Sequence, residues 1–165
     1  MNPTIPKSPG TYALRLFLPE AQILAIGRLG VFRFPAGDYL YLGSAFGPGG
    51  LHARLERHLK PTKRLHWHID YLRPAVQVRQ IGYQTAQNGP ASGPDRLECR
   101  WSQALLRLPG ACTPVPGFGA GDCRAACPAH LVFFPPACLP PDWLARLAAT
   151  PLSIPVAIKN PKHPL

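Results

Sequence analysis

The chain has 165 residues, enough for one domain with its own hydrophobic core and too few for two. Its 18 Lys and Arg residues outnumber its 8 Asp and Glu residues, and the formal net charge of +10 favours a partner that carries phosphate. No apolar run approaches the about 18 residues that cross a bilayer, and Met1 to Gly10 contains no signal-peptide core, so we expect a cytoplasmic protein without a membrane partner.

The first part of the chain predicts a small antiparallel sheet. Thr11 to Leu18 alternates in the way of a strand with one buried face. After a turn at Pro19 and Glu20, Ala21 to Ile26 is expected to pair back as a second strand. Tyr39 to Gly43 then resumes extended character and completes a predicted three-stranded sheet.

Two helices are predicted after the glycine-rich loop that follows this sheet. Leu51, Leu55 and Leu59 recur every four residues and indicate an apolar helical face, which ends at Pro61. His66 to Leu72 is expected to form a second, short helix.

The second half of the chain predicts a strand, a helix and a last strand. Val76 to Tyr83 alternates as a strand, and Pro94 suits the first position of a helix. The apolar face of that helix is predicted from Leu97, Trp101, Leu105 and Leu108. His130 to Phe134 is the expected last strand, Asp142 is expected to cap a short helix, and residues 151–165 are expected to be a loose tail.

This order of elements predicts a mixed α+β (α/β) fold. We expect a single small domain with a central three-stranded antiparallel sheet, flanking helices, and an extra C-terminal strand and helix. The predicted limits are an N-terminal tail at 1–9, the domain at 10–134, and a Pro-rich extension and tail at 135–165.

Five side chains on four predicted elements form a candidate catalytic set. Tyr12 and Tyr41 lie on strands that can face one surface, and Arg54 and His58 project from the following helix. Glu98, on a distant helix, can complete the cluster. Phosphodiester cleavage needs an activated water, a cation to offset the charge of the transition state, and help for the departing oxygen.

These residues resemble the GIY-YIG nuclease superfamily. Gly10 to Tyr12 stands for its first motif and Tyr41 to Ser44 for its second, with Arg54 and His58 following at helical spacing. The resemblance covers residues 10 to about 134 and extends to a branch described as a domain of unknown function. Its further matches are Trp67 to Leu72, Leu97 to Cys99, Gly121 to Cys123, and His130 to Leu131.

The resemblance implies a role for each residue of the set. Glu98 would bind a single Mg²⁺ or Mn²⁺ ion, and Arg54 would contact the scissile phosphate. Tyr12 or Tyr41 would help to activate the attacking water, with a pKa that a nearby arginine or the cation should lower, and His58 would assist proton transfer or phosphate contact. The candidate substrate-binding residues are Gly43, Ser44, Arg57 and His68.

Five cysteines without an export signal predict reduced thiols or metal ligands rather than a disulfide framework. Cys123, Cys127 and His130, with Cys99 nearby in space, could form a zinc site, but their spacing is irregular. The favoured interpretation is that these cysteines are small buried residues and that His130 is a hydrogen-bonded strand residue.

The leading functional hypothesis is a metal-dependent endonuclease that acts on nucleic acid, with DNA favoured over RNA. One alternative is a non-catalytic nucleic-acid-binding module, and a second is a structural zinc-binding adaptor. The charge alone does not decide among them, since a coding bias towards Arg, Pro and Ala would produce the same excess.

Overall fold

The sheet is built around strand β1 (Gly10–Leu18) in the computed structural model, which describes residues 4–60, 62–86 and 96–153. β1 pairs antiparallel with β4 (Gly37–Ala45) along one edge and with β5 (Gln77–Thr85) along the other. Outside them lie β6 (Leu131–Phe134), paired with β4, and β7 (Thr150–Leu152), paired with β5. The prediction of three strands is therefore wrong, because the sheet has five.

The predicted pairing of Ala21 to Ile26 with the first strand is also wrong. β2 (Gln22–Ala25) pairs antiparallel with β3 (Val31–Phe34) and forms a separate two-stranded sheet. The physical reason is that β4 and β5 already occupy both edges of β1. A short 3₁₀ turn, Gly27–Leu29, joins the two strands of this hairpin.

Helices pack on both faces of the five-stranded sheet. α1 (Gly50–Leu59) and α2 (His68–Leu72) cover one face, whereas α3 (Leu97–Leu106) and α4 (Trp143–Arg146) cover the other. The mixed α+β class and the single small domain are confirmed. Within the described ranges, no helix has the length and apolar character that a membrane crossing requires.

The alternation of β1 separates two hydrophobic clusters. Tyr12, Leu14 and Leu16 point towards α1 and α2, while Ala13 points towards α3 and α4. Because both faces are covered, β1 is buried along most of its length. This placement puts Tyr12 under α1, where the candidate site begins.

The C-terminal part of the chain adds more structure than the sequence predicts. Thr150–Leu152 forms an edge strand, although residues 151 and 152 were expected in a loose tail. Asp142 stands at the start of α4, but its carboxylate accepts a hydrogen bond from the Arg146 Nε, 2.9 Å away, and does not cap the helix. The predicted helix limits Pro61 and Pro94, and the tail after Ser153, lie outside the described residues.

A buried arginine closes the C-terminal end of α1. Arg73 donates hydrogen bonds to the backbone carbonyls of His58, Leu59 and Val76 at 2.7, 3.0 and 3.0 Å. Carbonyls in the last turn of a helix have no partner within the helix, so a donor from elsewhere is needed when the end is buried. Arg73 thereby fixes the turn of α1 that carries His58.

We expect Arg73→Met to lower the free energy of unfolding by about 3 kcal/mol, because three carbonyls lose their donor. Arg107→Met is the matched control, since Arg107 is exposed at the end of α3, and its effect should stay within about 0.5 kcal/mol. Urea unfolding of the three proteins measures both values. Equal stabilities for the two variants would contradict the role assigned to Arg73.

Candidate functional site

A polar cleft opens at the end of β4, where side chains from both helical layers meet. The residues that line it are Tyr12, Tyr41, Leu42, Gly43, Ser44, Arg54, Trp67, Arg96, Glu98, Gly119, Asp122 and His130. They come from β1, β4, α1, the start of α3, the segment before α2 and the long loop before β6.

The fold brings four of the five candidate catalytic residues into this cleft. Tyr12, Tyr41, Arg54 and Glu98 all line it, and so do two of the candidate substrate-binding residues, Gly43 and Ser44. His58 lies behind the wall, in contact with Tyr12. The roles of these residues remain predictions, but their proximity is now a feature of the fold.

The Tyr12 side chain crosses from β1 to α1 over Gly43. Its hydroxyl lies 2.7 Å from the His58 Nε2, and both side chains are fully buried or nearly so. Gly43 faces this hydroxyl, and a Cβ atom at that position would overlap it. The glycine of the Tyr41–Gly43 motif is therefore required by the tyrosine of the Gly10–Tyr12 motif.

Burial has the largest effect on the pKa values of Tyr12, Tyr41 and His58. It raises the pKa of Tyr12 and of Tyr41 above the ordinary value, although Arg54 acts in the opposite direction on both. Burial also lowers the pKa of His58 to about 3, helped by the charge of Lys63. The lowering of the tyrosine pKa by nearby Arg54 is present as expected, but burial outweighs it and the net shift is upwards. His58 is neutral at pH 7.

Arg54 and Arg57 share one aromatic partner but differ in their ion pairs. The guanidinium carbons of Arg54 and Arg57 lie 4.2 and 4.7 Å from the centre of the Trp67 ring. Arg57 also donates to the carboxylate of buried Asp70, whereas no ion pair within the described ranges involves Arg54. Arg54 is thus the arginine with a charge available to the cleft, and Arg57 does not line it.

Glu98 offers the cleft a carboxylate oxygen with no protein partner. Its side chain is 4% exposed, the Oε1 lies 3.6 Å from the Arg96 Nε, and the buried Oε2 has no hydrogen bond among the described residues. Arg96 and exposed Asp122 also line the cleft, and sequence reasoning did not name either as a site residue. Asp122 could have been found from the sequence, because it lies in the Gly121 to Cys123 match. The sequence indication for Arg96 is only its position near Glu98.

His68 holds the loop before β6 instead of lining the cleft. Its Nδ1 accepts a hydrogen bond from the Gly119 backbone N–H at 3.0 Å. Gly119 has a positive φ of 70° and lies against Tyr41 and His130, where a Cβ would be crowded. The structure places His68 among the groups that position this loop.

A cluster of three cysteines and one histidine lies next to the cleft. One ligand atom from each of Cys99, Cys123, Cys127 and His130 falls within 4.8 Å of all the others. Cys99 and His130 are buried, which agrees with the interpretation of these cysteines as small buried residues in the case of Cys99. Cys123 and Cys127 are only half-buried, and there the interpretation does not hold. This Cys₃His cluster could bind a metal ion, and it departs from the predicted Mg²⁺ or Mn²⁺ site in its ligand chemistry.

Residues 11–147 match the family model described as Domain of unknown function DUF123, and the chain belongs to this family. No significant match was found among curated proteins or among solved structures. The family description assigns no activity, so the function has to be inferred from the cleft.

We expect His58 to make the protein less stable as the pH falls. Its pKa is about 3 in the folded chain against an ordinary value of 6.5, so the unfolded chain binds more protons between these values. The free energy of unfolding should therefore fall as the pH drops below 6.5, by up to about 1.4 kcal/mol per pH unit from this residue.

Urea unfolding at several pH values in this window measures the effect. His58→Gln should flatten the decline, whereas His66→Gln, at an exposed histidine, should leave it unchanged. Parallel profiles for wild type and His58→Gln would show that burial of this imidazole is not linked to proton binding.

Proposed function

We propose that this chain is a metal-dependent endonuclease that hydrolyses phosphodiester bonds in nucleic acid, with DNA as the favoured polymer. The observation that carries the proposal is the meeting of Tyr12, Tyr41, Arg54 and Glu98 in one cleft. These residues are far apart in the sequence, and the resemblance to GIY-YIG nucleases requires them in one site. The net charge of +10 supports a polyanionic substrate.

Glu98 is suited to binding a hard divalent cation. The unpartnered, buried Oε2 is an oxygen that a cation would satisfy, and Asp122 on the same cleft adds negative charge. Mg²⁺ and Mn²⁺ prefer oxygen ligands and keep several waters, so one or two carboxylates are enough protein ligation. Such an ion would supply positive charge against the phosphate oxygens.

In this proposal Arg54 binds the scissile phosphate. Trp67 supports its guanidinium from one side, and Asp70 pairs with Arg57, so that among the described residues Arg54 has no carboxylate in an ion pair. A planar guanidinium can donate two parallel hydrogen bonds to phosphate oxygens. Binding energy at this position would orient the phosphate for in-line attack.

Tyr12 is suited to orienting the attacking water. Its raised pKa keeps the hydroxyl protonated, and its proton can be donated to neutral His58 at 2.7 Å. The Tyr12 oxygen then accepts hydrogen bonds through its lone pairs, one from Arg54 and one from a water in the cleft. His58 would thus fix the direction of the Tyr12 hydroxyl, as a positioning residue behind it.

We expect Glu98→Gln to reduce metal-dependent cleavage by about 10²–10³-fold, the range for removing one electrostatic group from a catalytic site. Glutamine keeps the size of the side chain but removes the charge that holds the cation. The matched control is Glu56→Gln, because Glu56 is 55% exposed on α1 and does not line the cleft. A labelled panel of single-stranded, duplex and branched DNA with a matching RNA, incubated with Mg²⁺ or Mn²⁺ and with a chelator in parallel, measures the activity.

Tight binding to these polymers without cleavage under any metal condition would contradict the proposed nuclease activity. It would favour the alternative of a non-catalytic nucleic-acid-binding module. Cleavage that is equal in wild type and Glu98→Gln would point to a contaminating nuclease.

Arg54→Ala tests whether Arg54 contacts the scissile phosphate or only adds to the positive charge of the protein. We expect it to lower the cleavage rate by at least about 10²-fold and to reduce the slope of log affinity against log salt by about 0.9, as for one lost phosphate contact. Arg100→Ala removes the same charge at an exposed position on α3, so its cleavage rate should be close to wild type. Single-turnover cleavage and binding titrations over a range of salt concentrations give both quantities, and equal rates for the two variants would rule out a special role for Arg54.

A further inference from the structure

The Cys₃His cluster gathers its members from three places in the chain. Cys99 lies in the first turn of α3, Cys123 and Cys127 lie in the long loop that follows this helix, and His130 directly precedes β6. This loop has almost no regular secondary structure, and its backbone hydrogen bonds run within the loop or to β4 and β6, as between Gly117 and Pro128 and between Cys112 and Phe133. The cluster therefore lies where the fold has few backbone hydrogen bonds to hold the loop against α3.

Two of the distances within the cluster already have the length expected of a tetrahedral metal site. The Cys99 Sγ lies 3.6 Å from the Cys123 Sγ and 3.6 Å from the His130 Nε2. With metal–sulfur and metal–nitrogen bonds of about 2.3 and 2.1 Å, the edges of a tetrahedral zinc site measure about 3.5–3.8 Å. All four donor atoms lie within 4.8 Å of one another, so small side-chain movements bring them to these edges.

The other two cysteines provide an internal comparison. Cys112 and Cys138 are exposed and lie outside the cluster. The half-buried thiols of Cys123 and Cys127 have turned inwards, towards Cys99, from a loop that could have left them in solvent. Three thiolates and one imidazole are soft ligands that select Zn²⁺ over Mg²⁺.

We propose that Cys99, Cys123, Cys127 and His130 bind one structural Zn²⁺ ion that ties the loop before β6 to the first turn of α3. Four protein ligands fill a tetrahedral site and leave no position for substrate, so the ion is structural and not catalytic. Its binding releases the thiol protons of the three cysteines to solvent. The proposal does not depend on the nuclease activity, because it concerns the folding of the loop.

The ion would also set the geometry of the cleft. Cys99 follows Glu98 directly, and the loop before β6 forms part of the cleft wall through His130, Gly119 and Asp122. Two side-chain hydrogen bonds also link the helix to the loop, from the Ser102 Oγ to the Ala129 carbonyl at 2.8 Å and from the Gln103 Nε2 to the Cys127 Sγ at 3.7 Å. A zinc bridge at Cys99 would therefore fix the distance from Glu98 to that wall.

The first test is the metal content of the full chain, purified without added metal or chelator. We expect one zinc per chain for wild type and for the control Cys138→Ser, and almost none for Cys123→Ser. Exchange with Co²⁺ should give the intense visible absorption of a tetrahedral site with thiolate ligands in the first two proteins. A strong chelator should lower the Tm of wild type and Cys138→Ser, but should not lower that of Cys123→Ser.

A second pair of variants keeps the proposal testable if Cys123→Ser does not fold. His130→Cys converts the site to four thiolates, another common zinc set, and should retain one zinc. His130→Ala should lose it. Retention by both would overturn the assignment of His130 as a ligand.

Two results would overturn the whole proposal. One is folded wild-type protein with no metal and five free thiols, which would make the cluster a set of unligated cysteines. The other is metal-free protein with a Cys99–Cys123 disulfide, detected as two missing thiols that reappear on reduction. If zinc is present but no nucleic acid is cleaved, the zinc site stands and the proposed function fails.

Discussion

The contact of the Tyr12 hydroxyl with His58, made over Gly43, connects the central strand of the sheet to the helix that carries Arg54. This contact requires a glycine on β4, at position 43, and it requires the C-terminal end of α1 to be held at a fixed height above the sheet. Arg73 supplies the second condition by binding the carbonyls of His58 and Leu59. The cleft therefore depends on a buried polar chain from β1 through α1 to the segment after α2.

A second buried polar group stabilises the neighbouring wall. The Asp70 side chain has no exposed area and accepts hydrogen bonds from the backbone N–H groups of His66 and Trp67 as well as from Arg57. Burial by itself raises the pKa of this carboxyl, but these hydrogen bonds and the charges of Lys63 and Arg57 lower it on balance. Asp70 thus fixes the position of Trp67, on which the Arg54 guanidinium lies.

Local periodicity in the sequence predicts the elements that position the site, but not the partners of these elements. A single local pattern is enough to identify each of these elements: the leucine spacing for α1, the alternation for β1 and the apolar face for α3. The pairing of β2 with β3 and the addition of β7 depend on which strand edges are already occupied, and this information is spread over the whole chain. Burial of Tyr12 and His58 is equally non-local, which is why the direction of the tyrosine pKa could not be predicted from nearby charges. The sequence brings Cys123, Cys127 and His130 close together, but Cys99 lies up to 31 positions away, and only the packing of the loop on α3 brings it to them.

The two outer strands have a consequence for how the chain folds during synthesis. β4, β1 and β5 are complete once residue 85 has been made, but β6 and β7, which cover their free edges, come from residues 131–134 and 150–152. Until the ribosome has released these segments, both edges of a hydrophobic three-stranded unit are open to pairing with other chains. The nascent chain therefore exposes two open strand edges from the completion of β5 until residues 131–134 and 150–152 have emerged.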